Sequence, residues 1–296
     1  VAAFKLTSSA LEGLAPRGFA SKASEDGGIP LITAETRKPD PMLPMAGVPG
    51  RVRHNVGVGA QWHGYITKVQ ALIKGAKKYA EADPDRIIIL LDRDILDGGC
   101  SDDELLDRYH RIVNASDGAK VVVGADVHQF PAYPPAKERF MGPFWQERRR
   151  NVMDEFGMDL HVFDRHEIKQ WFTSYSFVNS GFIMGPAGIV EKVAECMLQF
   201  GNMGQHFDDQ FGLTICTSRH PETLTLDYTT GLVLTAFFLK PDFVQSTPTG
   251  IKNVLFGGKQ CFVHLNGNRW PQARGWVNWY RGLPKFTRAE PLVASV

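Results

Sequence analysis

The sequence lacks a long apolar run. A helix needs roughly 20 consecutive apolar residues to cross a bilayer, whereas the longest hydrophobic stretches here have the length of a β-strand. We therefore expect no membrane span.

A charge excess is also missing, because 33 Lys and Arg residues oppose 32 Asp and Glu residues and leave a net charge of +1. Proteins that bind nucleic acid rely on a surplus of cations that release counterions from the phosphates. Nucleic acid is therefore not an expected partner. The short cluster Arg148-Arg149-Arg150 is too small to alter this, and we expect it to form a solvent-exposed helix face.

Cysteines are few and far apart. The four residues, Cys100, Cys196, Cys216 and Cys261, form no CxxC pair, which argues against a zinc site built on thiolates. An even number permits two disulfides, but Cys196, Cys216 and Cys261 fall within apolar patterns, where buried free thiols are expected. The redox compartment stays open, and the sequon Asn114-Ala-Ser116 would matter only in a secretory compartment.

The composition is that of a folded globular protein. Hydrophobic residues make up 43% and charged residues 22% of 296 positions, enough for a large core. Residues 1–28 are rich in Ala, Ser and Gly and show little periodicity, so we expect an N-terminal extension or a leader remnant. Residues 29–296 are expected to form a single domain.

Hydrophobic periodicity predicts alternating strands and helices. In the first half, strands are expected at 29–34, 52–58, 87–91 and 120–124 and helices at 68–81 and 102–113. This order is typical of an α/β sandwich around a mostly parallel sheet. Residues 127–175 are expected to form a long excursion with one or two helices. Later elements are expected at 177–184 (strand), 187–200 (helix), from 207 (helix), 223–228 (strand) and 262–264 (strand).

Asp92-Arg93-Asp94 follows the aliphatic strand 87–91 directly. Ligand sites in open α/β sheets lie at the carboxyl ends of strands. Two carboxylates there suit Mn²⁺ or Mg²⁺, which can also bind the oxygens of a diphosphate. The alternative is an Asp-rich start of a helix or turn.

His264 also ends a strand, just before the turn sequence Asn266-Gly267-Asn268. An imidazole at this place can complete an Asp/Asp/His ligand set for Mn²⁺. A single His beside a turn can equally have a structural role.

The glycine-containing loop 57–64 precedes a helix. Its third fingerprint position is Trp62 rather than glycine, which argues against a nicotinamide oxidoreductase. Trp62 could stack on a nucleotide base and Lys68 could meet a diphosphate. Equally, Trp62 could belong to the core and Lys68 to the surface.

Of the pair Asp208-Asp209, one carboxylate is expected to cap a helix, and the other could face a cleft and bind a sugar or the attacking group.

Taken in order, these segments resemble the glycosyltransferase domain of the procollagen lysyl hydroxylases and the related collagen-type glycosyltransferases. The resemblance covers roughly residues 29–270, and it lies in the order and spacing of short motifs rather than in any single one. These motifs are Gly57 to Gly64 with Lys68, Asp92-Arg93-Asp94, Ala125-Asp126 with Phe130-Pro131, Phe177 to Gly185, Asp208-Asp209-Gln210, Leu226-Asp227-Tyr228 and His264 to Gly267.

The resemblance implies a GT-A-like nucleotide-sugar-binding sandwich that moves a hexose, glucose or galactose, from a UDP-sugar to a hydroxyl acceptor on a protein or glycan. It implies Mn²⁺ or Mg²⁺ as the metal and suggests the lumen of the secretory pathway. The implied metal ligands are Asp92, Asp94 and His264. The implied donor-binding residues are Trp62, Lys68, Arg93 and Gly267. The implied catalytic or sugar-lining residues are Asp126, Asn179, Asp208 and Asp209.

A second hypothesis is a catalytically idle fold of this type that serves as a scaffold or binding subunit. Residues 1–28 and 127–175 would then contact protein partners, since a fold does not guarantee its chemistry. The metal ligands discriminate between the two, because a scaffold has no need of them. All three candidate ligands are present in this sequence, which favours the enzyme.

Overall fold

The structure, a computed structural model, describes residues 28–36, 53–158, 175–204, 206–236, 244–247, 250–253 and 257–266. The expected extension therefore lies outside the described residues except for Gly28, as do part of the 127–175 excursion and everything after Asn266. Within the described ranges, no helix is long and apolar enough to cross a membrane.

Twelve strands and six helices make up the described part of the chain. The strands are β1 (Leu31–Thr33), β2 (Arg53–Asn55), β3 (Ile87–Leu91), β4 (Ile95–Asp97), β5 (Val121–Asp126), β6 (Phe177–Pro186), β7 (Leu224–Leu226), β8 (Val233–Thr235), β9 (Val244–Thr247), β10 (Gly250–Asn253), β11 (Lys259–Gln260) and β12 (Phe262–His264). The helices are α1 (Tyr65–Ala82), α2 (Asp102–Ala115), α3 (Pro134–Phe140), α4 (Pro143–Glu155), α5 (Ala187–Phe200) and α6 (Asp209–Arg219).

A six-stranded sheet with the order β2-β1-β3-β6-β5-β7 forms the centre of the fold. The β1–β2, β1–β3 and β5–β7 pairings are parallel, whereas β6 runs antiparallel to both of its neighbours. The prediction of an α/β architecture with a mostly parallel sheet is confirmed. All five residues of β3 are buried, as expected for an aliphatic strand inside such a sheet.

The helices follow from their patterns and caps. On α1, Val69, Leu72 and Ala76 are buried, and burying a side chain such as Leu72 contributes about 1.5–3 kcal/mol. α1 packs against α5, and α5 against α6. A capping box begins α2, because Ser101 accepts from the Glu104 N–H and the Glu104 carboxylate accepts from the Ser101 N–H.

A smaller sheet, β4-β12-β8, begins where the Asp92-Arg93-Asp94 segment ends. β4 pairs antiparallel with β12, so that His264 lies opposite Ile95. This pairing joins two segments that are remote in sequence. A third sheet consists of the antiparallel strands β11-β10-β9.

The expectation of free thiols is wrong. Cys100 bonds to Cys261 and Cys196 bonds to Cys216. An apolar pattern indicates burial, and a buried half-cystine satisfies it as well as a buried thiol does. The first bond ties the start of β12 to the segment after β4, and the second ties α5 to α6.

The expectation of a solvated arginine face is also wrong for two of the three residues. Arg148 and Arg149 are buried on α4, whereas Arg150 is exposed. The Arg148 guanidinium donates to the backbone oxygen of Pro221 at 2.5 Å and lies over the Phe144 ring. Burial is tolerated because carbonyl oxygens and an aromatic face replace the lost water.

Candidate metal centre

Asp92, Asp94 and His264 converge on one point. One ligand atom from each residue lies within 4.8 Å of the others, and His264 Nε2 is 3.2 Å from Asp94 Oδ1 and 3.6 Å from Asp92 Oδ2. The carboxylates come from the end of β3, and the β4–β12 pairing delivers the imidazole. The structure thus brings together the three residues that the sequence analysis selected.

Asn179 orients the imidazole from behind. Its Oδ1 accepts from the Gly181 N–H at 2.9 Å and lies 3.0 Å from His264 Nδ1. An oxygen that accepts from a backbone N–H is identified without ambiguity, so His264 Nδ1 must be the donor in this contact. When the ring is neutral, its lone pair is then on Nε2, which faces the two carboxylates.

Asp126 in turn holds Asn179. Its Oδ2 accepts from Asn179 Nδ2 at 3.2 Å and from Asn266 Nδ2 at 3.1 Å, and the residue is 4% exposed. Burial raises the pKa of this carboxyl, although its hydrogen bonds oppose the shift. Asp126 therefore contacts Asn179, which in turn contacts His264 Nδ1, and it lies on the side of the ring away from Nε2.

An irregularity in β6 shapes the wall of the centre. The β5–β6 register shifts between Val123 and Gly124, and the extra residues of β6 include Ser180 and Gly181. The Gly181 carbonyl accepts from the Asp92 N–H at 2.8 Å. A Cβ on Gly181 would lie 2.2 Å from His264 Cε1, so only glycine leaves room for the ring. Bulges commonly occur beside functional sites.

Lys68 lies beside the candidate ligands and is 7% exposed. Its Nζ forms an ion pair with Asp92 and another with Asp209 Oδ2 at 2.5 Å. Ser180 Oγ donates to the same Asp209 oxygen at 3.1 Å. The surface position considered for Lys68 is therefore wrong, and Asp209 belongs to the same cluster of charges.

Asp208 has the capping role expected for one member of the pair. Its Oδ1 accepts from the Phe211 N–H at 2.7 Å, and Asp208 is the N-cap of α6. Satisfying that orphan N–H stabilises the helix start.

The remaining predicted donor-binding residues differ in position. Trp62 is 48% exposed just before α1 and contacts Tyr65 edge to face, so it is not a core residue. Arg93 forms an ion pair with Glu35 at 3.2 Å. Gly267 lies outside the described residues.

Tyr65 is a neighbour of the candidate centre that none of the sequence motifs indicated. Tyr65 precedes Lys68 by three residues, a spacing that places both on one side of α1. Burial raises the pKa of its hydroxyl, and the negative charge of Asp209 adds to the shift. The three-residue spacing from Lys68 is therefore the feature of the sequence that indicates that Tyr65 lies beside the cluster.

The charges of the cluster shift the pKa values of its members. Burial alone would lower the pKa of His264, but attraction to Asp94, a hydrogen bond to it and attraction to Asp92 raise it overall. For Asp94, burial alone would raise the pKa, but the attraction and the hydrogen bond of His264 lower it overall. For Asp92, burial outweighs the attraction of Lys68 and His264, so its pKa is raised.

These residues fit a divalent cation. Two carboxylates and one imidazole are the donor set that Mn²⁺ accepts, and Mg²⁺ tolerates the carboxylates. The imidazole nitrogen that faces the carboxylates can carry the lone pair, and its orientation is supported by Asn179. Such supporting contacts are typical of metal-binding histidines.

We expect opposite pH dependences for metal binding and for the stability of the metal-free protein. A cation needs neutral His264, so Mn²⁺ affinity should fall as the pH falls through the raised pKa of His264. Without metal, the protonated ring stabilises the fold. That contribution is complete below the unfolded pKa of about 6.5 and is lost as the pH rises through the folded pKa.

Thermal unfolding between about pH 5.5 and 8.5, with Mn²⁺ or with a chelator, measures both effects. In the His264→Asn variant both pH dependences should disappear. A metal-induced stabilisation that is independent of pH would contradict the assignment of His264.

The Cys100–Cys261 bond should support metal binding, because Cys261 lies three residues before His264 on the segment that leads into β12. We expect the double variant Cys100→Ser/Cys261→Ser to bind Mn²⁺ about tenfold more weakly, as for other losses of support around a ligand. The Cys196→Ser/Cys216→Ser variant is the matched control. It should lose thermal stability but retain its Mn²⁺ affinity while folded, and equal losses of affinity in both variants would refute the role of the first bond.

Comparison with models of protein families and with curated proteins finds no match for the chain.

Proposed function

We propose that the protein is a metal-dependent glycosyltransferase of GT-A type. It transfers a hexose, glucose or galactose, from a UDP-sugar to a hydroxyl acceptor on a protein or glycan. The observation that supports this proposal best is the meeting of Asp92, Asp94 and His264 at the end of β3, next to the buried pair Lys68–Asp209.

In this proposal Asp92, Asp94 and His264 hold Mn²⁺ or Mg²⁺. When bound, such an ion offsets the negative charge of the departing nucleoside diphosphate. Lys68 adds a fixed positive charge beside Asp92, which lowers the repulsion between that carboxylate and a diphosphate. Trp62 offers an exposed ring on which the donor base can stack.

The other polar residues divide into two groups. Asp209 and Ser180 share a hydrogen bond next to Lys68, and their proposed role is to bind a hydroxyl of the donor sugar. Asp126 and Asn179 form the chain of contacts that ends on His264. Their proposed role is to position the imidazole, and we assign no proton transfer to Asp126.

The disulfides favour an oxidising compartment, because such bonds persist in secreted proteins and in the endoplasmic reticulum. We propose the lumen of the secretory pathway. Asn114 of the sequon is exposed at the end of α2, so a glycan there would extend into solvent.

The alternative is a scaffold that binds partners through residues 1–28 and 127–175. The candidate metal ligands and their supporting contacts favour the enzyme, because a scaffold does not require an oriented imidazole beside two carboxylates.

Donor hydrolysis tests the proposal. The purified protein should release UDP from UDP-glucose or UDP-galactose when Mn²⁺ is present, and EDTA should abolish the release. GDP- and CMP-sugars are the matched control donors and should be hydrolysed much more slowly. If none of these donors is hydrolysed and UDP does not bind with Mn²⁺ present, the scaffold hypothesis takes precedence.

A further inference from the structure

A cleft lies at the opposite end of the β4-β12-β8 sheet from the metal centre. Its volume is about 340 Å³, within the usual range of small-molecule sites. Its walls are α2, the end of α4, the loop 229–231 and the segment 258–260 at β11. Gln260 precedes His264 by four positions along a largely extended segment, so the cleft is roughly 13 Å from the imidazole.

The walls of this cleft are built from specific hydrogen bonds. The buried carboxylate of Asp227 accepts from the backbone N–H groups of residues 231–233 at 2.7–2.9 Å. Arg108 Nη1 donates to the carbonyl oxygens of Gly231 at 2.5 Å and of Lys259 at 2.8 Å. The loop and the β11 segment are thereby held in one arrangement, which is the preorganisation that a binding site requires.

Thr230 in this wall has a strained conformation. Its φ is +54°, in the left-handed region that a β-branched residue rarely adopts. Gln260 Nε2 donates to its carbonyl at 2.8 Å, and its buried hydroxyl has no hydrogen-bond partner among the described residues. Glycine would take this conformation without strain. Retained strain of this kind clusters at ligand sites.

The charges around the cleft are balanced. Lys259 pairs with Glu104 at 3.0 Å, and Arg111 pairs with Glu155 at 2.9 Å. The remaining cation, Arg108, is attracted most strongly to the buried carboxylate of Asp227, and then to Glu104 and Asp107. A balanced site gives little attraction to an anion, but it offers both donors and acceptors. Apolar surface comes from Phe156 and Met158 in the same cleft.

We propose that this cleft binds a neutral saccharide of one or two pyranose units. Sugar hydroxyls both donate and accept hydrogen bonds, and a pyranose ring also presents apolar C–H groups. This matches the mixture of paired charges, amides and apolar side chains in the walls. The proposal does not depend on transferase activity, because no residue of the metal centre lines the cleft.

Calorimetric titration of the full chain in EDTA tests the proposal, with galactose, glucose, lactose and a galactosylated peptide as probes. Thr230→Gly should weaken binding by about tenfold, while its melting temperature stays equal or rises because the strain is gone. Asp107→Asn removes a charged acceptor without changing size and should also weaken binding. The surface variant Asp85→Asn and the metal-site variant Asp94→Asn should bind as the parent does.

Each source of the saccharide gives a different result. Tighter binding of the galactosylated peptide than of the free sugars indicates a glycan on a protein, and equal binding indicates a free saccharide. The proposal is overturned if no probe binds, if inorganic phosphate competes with the sugar, or if Asp94→Asn abolishes binding while Asp107→Asn does not. Normal saccharide binding by both the Thr230→Gly and the Asp107→Asn proteins would also overturn the proposal.

Discussion

The Asp94→Asn variant should lose at least about a hundredfold of the Mn²⁺-dependent release of UDP from the donor. Asparagine keeps the size of the side chain but removes the charge that would hold a cation against a diphosphate. The loss should appear in turnover at saturating donor, and Mn²⁺ should no longer raise the melting temperature. Kinetics with and without metal, together with thermal unfolding, measure both effects.

The fold of this variant should survive. The substitution removes the charge repulsion between Asp94 and the nearby Asp92, which stabilises the protein. It also removes the ionic contact between Asp94 and His264 at 3.2 Å, which destabilises it. The two effects oppose each other, so we expect only a small change in the stability of the metal-free protein. Asp103→Asn, an exposed carboxylate on α2, is the control and should change neither activity nor stability. An Asp94→Asn protein with near-normal, metal-dependent activity would refute the ligand assignment.

Lys68→Met should destabilise the protein by roughly 3–5 kcal/mol. The buried ammonium group neutralises Asp92 and Asp209, and removing one partner of a buried ion pair leaves uncompensated charge in the interior. If Lys68 were an exposed side chain that only contacted the donor, its replacement would leave the stability of the protein almost unchanged. Because the side chain is buried, we expect a large loss instead. Chemical denaturation measures the difference.

The pH dependence of this loss identifies its cause. Lys68 opposes the rise in the pKa of Asp92 that burial causes. Without Lys68 that pKa should rise further in the folded state, so the variant should be most stable at low pH and lose stability as the pH rises. A second substitution, Lys68→Met/Asp209→Asn, should restore much of the loss. Lys78→Met, an exposed position on the same helix, is the control. A loss that is independent of pH and not restored by Asp209→Asn would indicate a packing defect instead.

The central architecture was predictable because local sequence determines it. The aliphatic run 87–91 has no polar face, which indicates a strand covered on both sides, and the capping box at Ser101 marks the start of α2. The carboxylates were predictable for the same reason, since they follow that strand directly. The convergence of His264 with them required more than local pattern and was expected chiefly from the family resemblance.

Other features depend on tertiary pairing that no local pattern records. β4 and β8 are three residues long, too short for a periodicity, and they become strands because β12 lies between them. The disulfides follow from which buried cysteines meet, and burial alone does not determine that. The ion pair between Lys68 and Asp209 links residues 141 positions apart, so the burial of Lys68 could not be predicted from the pattern of α1.

The positioning role of Asp126 and Asn179 illustrates the same limit. The family resemblance implied that both are catalytic or sugar-lining residues. The side chains instead contact each other and the back of the His264 ring. Whether a polar residue touches the substrate or supports a neighbour depends on side-chain direction, which only the folded structure reveals.

Titration with Mn²⁺ in the presence of UDP, followed by the electron paramagnetic resonance signal of free Mn²⁺, tests the central claim most directly. We predict one bound ion per chain for the parent protein. Asp92→Asn, Asp94→Asn and His264→Asn should each weaken that binding at least about tenfold, and Asp103→Asn should bind as the parent does. Absence of Mn²⁺ binding by the folded parent protein, or binding that survives all three substitutions, would contradict a metal centre formed by these residues.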